Sequence, residues 1–182
     1  MKSFWNFPID ELVFINAFSQ HNSLLVHSCL YEYEGKGYLF GGVSGAGKST
    51  LADILTEANI GGTVLCDERN AITRDSDGHY WASSTPWTGS SEACVPKTVP
   101  LEKILFLNPE HKGASIRELS LQDAVTDFLL VIFPPLFSDP GMRASVDLIS
   151  ELAEKFELCK MNYDKESSDV VELLKSEVFS QG

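Results

Sequence analysis

Gly41-Gly42-Val43-Ser44-Gly45-Ala46-Gly47-Lys48-Ser49-Thr50 decides how the rest of the chain is read, because Gly42 through Ser49 fits the pattern G-x-x-x-x-G-K-[ST]. In a phosphate-binding loop, glycines let the backbone curl so that successive N–H groups point inward at phosphate oxygens. Lys48 then reaches the β- and γ-phosphates, and the Ser49 hydroxyl can ligate Mg²⁺. Gly42, Ser44, Gly45, Ala46, Gly47, Lys48, Ser49 and Thr50 are the expected nucleotide contacts. The flanks agree with this. Tyr38-Leu39-Phe40 reads as a strand entering the loop, and Ser49 to Ala58 as a helix leaving it. The positive end of that helix dipole would face the phosphates. A Gly/Ser-rich turn can match the pattern by chance, but a strand before it and a helix after it make a nucleotide site the better reading.

Upstream, the run Ser23 to Tyr33 is strand-like and ends at the turn Glu34-Gly35-Lys36-Gly37, which leads straight into Tyr38-Leu39-Phe40. The two runs read as a hairpin, so antiparallel pairing precedes the loop. In the common nucleotide-binding fold the loop instead follows a parallel central strand. Residues 1–22 mix Phe4, Trp5, Phe7, Phe14 and Phe18 with polar positions and read as an N-terminal strand or arm packed on the body.

Downstream, Asn59-Ile60-Gly61-Gly62 stops the helix, and Thr63-Val64-Leu65-Cys66 is a short apolar strand delivering Asp67-Glu68. Carboxylates at a strand end beside a phosphate loop are placed for Mg²⁺ coordination or base catalysis. A second hairpin follows, 70–74 and 79–83 around Asp75-Ser76-Asp77-Gly78. Residues 84–97 form a Ser-, Thr-, Pro- and Gly-rich loop, and Leu101 to Leu107 is a buried-type strand ended by Asn108-Pro109. Two helices are expected, over 119–132 up to Pro134-Pro135 and over Met142 to Phe156, then a strand over Glu157 to Met161. A polar tail over 164–182 reads as a solvated end. The expectation is one α/β domain over 1–182, with a mixed sheet and flanking helices, without internal repeats or a linker.

Composition bounds the partners. The 182 residues carry a net charge of −12, which argues against non-specific binding to nucleic acid or to an anionic membrane surface. The phosphate site must therefore be locally positive within an acidic shell. Cys29, Cys66, Cys94 and Cys159 are scattered without a C-x-x-C pair, so free thiols in a reducing compartment are expected rather than a metal cluster or disulfide framework. No apolar signal core follows Met1, and no run is long enough to span a bilayer, so a cytoplasmic protein is expected.

With His27, then Gly42 and its loop, then a strand ending in Asp67-Glu68-Arg69, the chain resembles the kinase domain of HPr kinase/phosphorylase over positions 27–69. Thr85-Pro86-Trp87 and the following strand add weaker support. The resemblance implies a phosphoenolpyruvate-carboxykinase-like fold and ATP- and Mg²⁺-dependent transfer of the γ-phosphoryl group to a hydroxyl of a protein, peptide or small molecule. It implies Asp67 as the base for the acceptor hydroxyl and His27 beside it, tuning its charge. It also implies Lys48 neutralising the transferring group, and Ser49 with Asp67 or Glu68 holding Mg²⁺. Glu68 stands where the family has a second Asp, and no segment resembles the family's phosphorolysis signature, so kinase activity is the expectation. The family often forms oligomers, which makes a homo-oligomer a possible state.

Two other functions compete. A small-metabolite kinase of the shikimate or gluconate type would begin with the loop strand and need an Arg-rich lid late in the chain; the long strand-like stretch before the loop and the Arg-poor second half count against it. A nucleotide-binding sensor or scaffold without turnover is opposed by the intact Lys48, Ser49 and Asp67. A lone strand histidine is more often structural than catalytic, and only its fit to the family spacing brings His27 to even footing; His79, Trp81 and Trp87 read first as packing groups. Arg69, Arg74, Arg117 and Arg143 are each candidate phosphate clamps, Arg143 the first choice.

Overall fold

In a computed structural model of the chain, residues 9–88, 94–108, 113–163 and 169–181 are described. The architecture grows from two long strands, β1 (Ser23–Tyr33) and β6 (Thr98–Asn108), each shared between two pairing environments. The first half of β1 runs antiparallel to β4 (Arg69–Arg74), with His27 opposite Arg69 as the last pair. From Ser28 onward the same strand pairs instead with β2 (Lys36–Gly41), Ser28 opposite Gly41, and with β3 (Thr63–Cys66) on its other side. Likewise β6 pairs antiparallel with β5 (Tyr80–Ser84) up to Pro100, then parallel with β2 from Leu101 and with β8 (Leu158–Asn162) from Ile104. Strand β7 (Ser115–Glu118) closes the edge against β8. The sheet is mixed, and the hairpin of β1 and β2 stands as read from the sequence.

Strand periodicity assigns the faces, since successive side chains point to opposite sides. Leu30, Leu39, Ile104, Phe106 and Leu158 share one hydrophobic cluster, while their neighbours Cys29, Tyr31, Tyr38, Phe40, Leu105, Leu107 and Cys159 share another. These strands are apolar on both sides because helices cover both. One face carries α3 (Leu121–Val131) and α4 (Asp139–Lys155), with Phe128 set edge-on to Phe106 at 5.0 Å. The other carries α2 (Lys48–Ala58) and α5 (Asp169–Glu177). Ser120 caps α3 by accepting from the Asp123 N–H, and Ser138 caps α4 by accepting from the Gly141 N–H. Each cap is worth about 1 kcal/mol.

Three expectations change. Ile9–Gln20 is a helix, α1, not a strand or extended arm; Asp10 and Glu11 favour its first turn, and Ile15 is buried. Within the expected polar tail, Asp169–Glu177 is helical, and Val170, Leu174, Val178 and Phe179 are core residues. Their apolar spacing is too sparse, among Asp, Glu and Lys, to outweigh composition in one dimension. Strand β7 was unanticipated, and its alternating run of four residues holds only through pairing with β8. The 84–97 loop reading falls partly outside the described residues, at 89–93, as do 1–8 and 164–168.

Candidate functional site

The point where β1 changes partners is where the chemistry-bearing residues meet. The His27 carbonyl accepts from the Gly42 N–H at 3.2 Å, and the Ser28 N–H donates to the Glu68 carbonyl at 3.1 Å. Three segments distant in sequence are thereby pinned together: the last β4-paired residue of β1, the loop leaving β2, and the turn between β3 and β4. They surround a cavity of about 210 Å³ lined by His27, Ser44, Gly45, Gly47, Lys48 and Glu68, with Ser49 and Thr50 at the start of α2.

The loop geometry follows from its glycines. Gly45 and Gly47 hold φ of 81° and 104°, in the left-handed region that side chains with a Cβ disfavour. A Cβ on Gly42 would sit 2.8 Å from the Ala46 Cβ, so the loop closes on itself only with glycine there. Gly47 leads into α2 without a side-chain cap, which leaves the first-turn N–H groups turned toward the cavity mouth without a competing side chain. The Lys48 ammonium is buried and donates to the carbonyls of Gly42 at 2.8 Å and Val43 at 3.2 Å, folding back across the loop. Burial lowers its pKa, opposed by the charges of Glu68 and Asp67. Just past the end of β8 the Tyr163 hydroxyl donates to the Gly47 carbonyl, bracing the loop from beneath.

On the opposite wall His27 Nε2 lies 3.5 Å from a Glu68 carboxylate oxygen. Burial, then the Lys48 charge, lowers the His27 pKa below its ordinary value, against the pull of Glu68. The imidazole is therefore neutral at pH 7. The two acidic residues separate: Glu68 lines the cavity, whereas Asp67 is 0% exposed and does not line it. Asp67 acts on the site through charge, which favours the ionised Lys48.

Of the four arginines, Arg69 stands nearest. It lies opposite His27 in the ladder, its guanidinium sits 4.9 Å over the Phe133 ring, and Nη1 meets Glu11 Oε1 at 3.4 Å. Arg74 pairs with Glu151, and Arg117 and Arg143 are exposed on β7 and α4; none of the four lines the cavity. Trp87 packs edge-on against Phe14 at 5.2 Å, a packing role. His79 belongs to the β4–β5 turn and Trp81 to β5 beside it, and Asp75 accepts from the Trp81 indole N–H and the His79 backbone N–H. Asp75, Asp77 and His79 lie close enough to hold a cation, but they are turn residues and Asp75 is already engaged. Sequence reasoning did not single out Glu11, Phe133 or Tyr163. Each reaches the site from a remote element, and no local pattern marks it.

The donor set fits a magnesium–nucleotide. The oxygens of Ser49, Thr50 and Glu68 are hard ligands, and a cradle of backbone N–H groups with one ammonium suits phosphate. No family model matches the chain, and no curated protein matches it in sequence. Among solved structures, the HPr(Ser) kinase/phosphatase from Coxiella burnetii aligns over 86% of this chain and 94% of that one, with 13% identity and a TM-score of 0.42. At that distance the site's chemistry rests on its own residues. No helix among the described residues is long and apolar enough to cross a membrane.

Proposed function

We propose that the protein is a kinase of the HPr-kinase-like type, transferring the γ-phosphoryl group of ATP to a hydroxyl on a protein, peptide or small molecule. The observation that carries this reading is the convergence on one cavity of a glycine-shaped loop with its buried lysine and, facing them, the His27–Glu68 pair. Phosphoryl transfer demands little covalent chemistry of the protein; it needs positioned charge and a group to receive the hydroxyl proton. Lys48 exchanges its two loop carbonyls for phosphate oxygens, and the backbone N–H groups of Gly45 to Thr50 hold the remaining charge. On this reading Glu68, on the wall, receives the proton from the acceptor, with His27 orienting its carboxylate. Asp67, assigned as the base on the family pattern, is buried behind the cavity wall and, after Glu68, favours the ionised form of Lys48. Mg²⁺, held by the Ser49 hydroxyl and the phosphate oxygens, would neutralise charge developing on the phosphoryl group.

Calorimetric titration of ATP with and without Mg²⁺, on wild type and Lys48→Ala, tests the site. Mg²⁺-dependent binding by the wild type and its loss in the variant support the reading. Equal binding by both proteins overturns it. Glu68→Gln separates catalysis from sensing: a kinase loses roughly 10²–10⁴-fold in kcat with nucleotide affinity little changed, whereas a sensor has no turnover to lose.

A further inference from the structure

We propose that Cys66 and Cys94 form a reversible dithiol–disulfide site, oxidised by a peroxide to a cross-strand bond between the end of β3 and the segment leading into β6. Cys66 and Cys94 are direct partners in an antiparallel bridge. The Val95 N–H donates to the Leu65 carbonyl at 2.8 Å, so the ladder bond falls on the flanking residues and the cysteines occupy the non-hydrogen-bonded position. At such positions the Cα atoms lie about 4.5 Å apart with side chains on the same face, inside the roughly 4.4–6.8 Å that a disulfide spans.

The thiols share one environment. Cys66 Sγ donates to the carbonyls of Arg69 at 3.4 Å and Trp87 at 3.5 Å, while Cys94 Sγ donates to the Thr85 carbonyl at 3.2 Å. The Thr85 hydroxyl donates to the same Arg69 carbonyl at 2.6 Å, so both sulfurs rest against the linked ends of β4 and β5. Cys94 is partly exposed and Cys66 is buried, which orders the steps. The Cys94 thiolate attacks the peroxide O–O bond, giving a sulfenic acid and, with one proton, water (or an alcohol from an organic peroxide). Cys66 then attacks the sulfenic sulfur; the S–S bond forms, and hydroxide leaves with the thiol proton as a second water. Two thiols are oxidised by two electrons and one peroxide is reduced. Cys66 directly precedes Asp67-Glu68, so on the phosphoryl-transfer reading the bond would bear on that site.

Thiol titration of the denatured full chain, before and after treatment with hydrogen peroxide, tests the proposal, with peptide mapping and melting. The four thiols fall to two in a monomer, the bond maps between Cys66 and Cys94, and dithiothreitol restores four. The melting midpoint rises by several degrees on oxidation, because a loop of nearly thirty residues is closed in the unfolded chain. Cys94→Ser, at a partly exposed position, keeps its remaining three thiols, and Cys29→Ala still forms the bond. The proposal is overturned if all four thiols survive, if the bond maps between Cys29 and Cys66 or between chains, or if the midpoint falls. No readout involves nucleotide, so failure here is distinct from failure of the kinase reading.

Discussion

The two faces of the sheet are built from alternate residues of the same strands, yet they do different work. The α3/α4 face is largely aliphatic around the Phe106–Phe128 pair and packed by two capped amphipathic helices, and it holds the frame. On the α2/α5 face, Phe179 stacks on Tyr33 at 4.8 Å and meets Tyr31 and Tyr38 at 5.6 Å and 4.9 Å. That same cluster contains Ala46, Leu51 and Tyr163, the groups beneath and behind the glycine-rich loop. Equal burial therefore does not mean equal consequence. Damage to the first face should cost stability alone, while damage to the second should also reach the site.

Ending the chain at Tyr163 probes this most severely. It removes Val170, Leu174, Val178 and Phe179 and uncovers the tyrosine cluster. Loss of the cooperative unfolding transition is expected, read by circular dichroism with heating. A truncated chain that melts like the full one would show that the C-terminal helix only decorates the fold. More finely, Phe179→Ala and Phe128→Ala should each lose roughly 3–5 kcal/mol in denaturant titration. Only Phe179→Ala should also weaken nucleotide binding at a temperature where both variants remain folded. Matching affinity losses would erase the distinction between the faces.

Tyr163→Phe is a gentler cut, removing one hydroxyl that donates to the Gly47 carbonyl. The expected cost is about 1 kcal/mol of stability together with a few-fold loss of nucleotide affinity. Stability loss without any change in affinity would confine the bond to the fold. The smallest effect concerns His27. Its pKa in the folded chain lies below the unfolded value of 6.5, so the unfolded state takes up protons first as pH falls. Its contribution to stability is full above about pH 6.5 and is lost as pH drops through the lower folded value. In His27→Gln, the melting midpoint should fall less steeply with acidification below pH 6.5 than in wild type.

Much of this was legible in one dimension because the signals are local. The glycine-rich loop needs its positive-φ glycines and lysine at fixed spacing, and a strand and helix flank it as read. The hairpin of β1 and β2 turns on Glu34 and Gly35, both at positive φ. The mixed sheet followed from that antiparallel start. The residues at either end were harder. Ile9–Gln20 carries aromatic and β-branched residues that suit a strand as well as a helix, and only packing against β1 and α4 decides.

Among the site residues, sequence placed His27, Lys48 and the 67–68 pair within reach of one another, but it could not rank the two carboxylates. Adjacent residues leaving a strand turn opposite ways, and which one meets solvent depends on what the strand packs against. Tertiary structure put Glu68 on the cavity wall beside His27 and buried Asp67. It also set Cys94 opposite Cys66 across 28 positions and brought Tyr163 under the loop. The sequence by itself determined the glycine-shaped loop, because backbone torsion and residue spacing are local properties. The tertiary structure alone decided what faces that loop, because β1 changes partners at His27 and long-range pairing leaves no periodic trace in the chain.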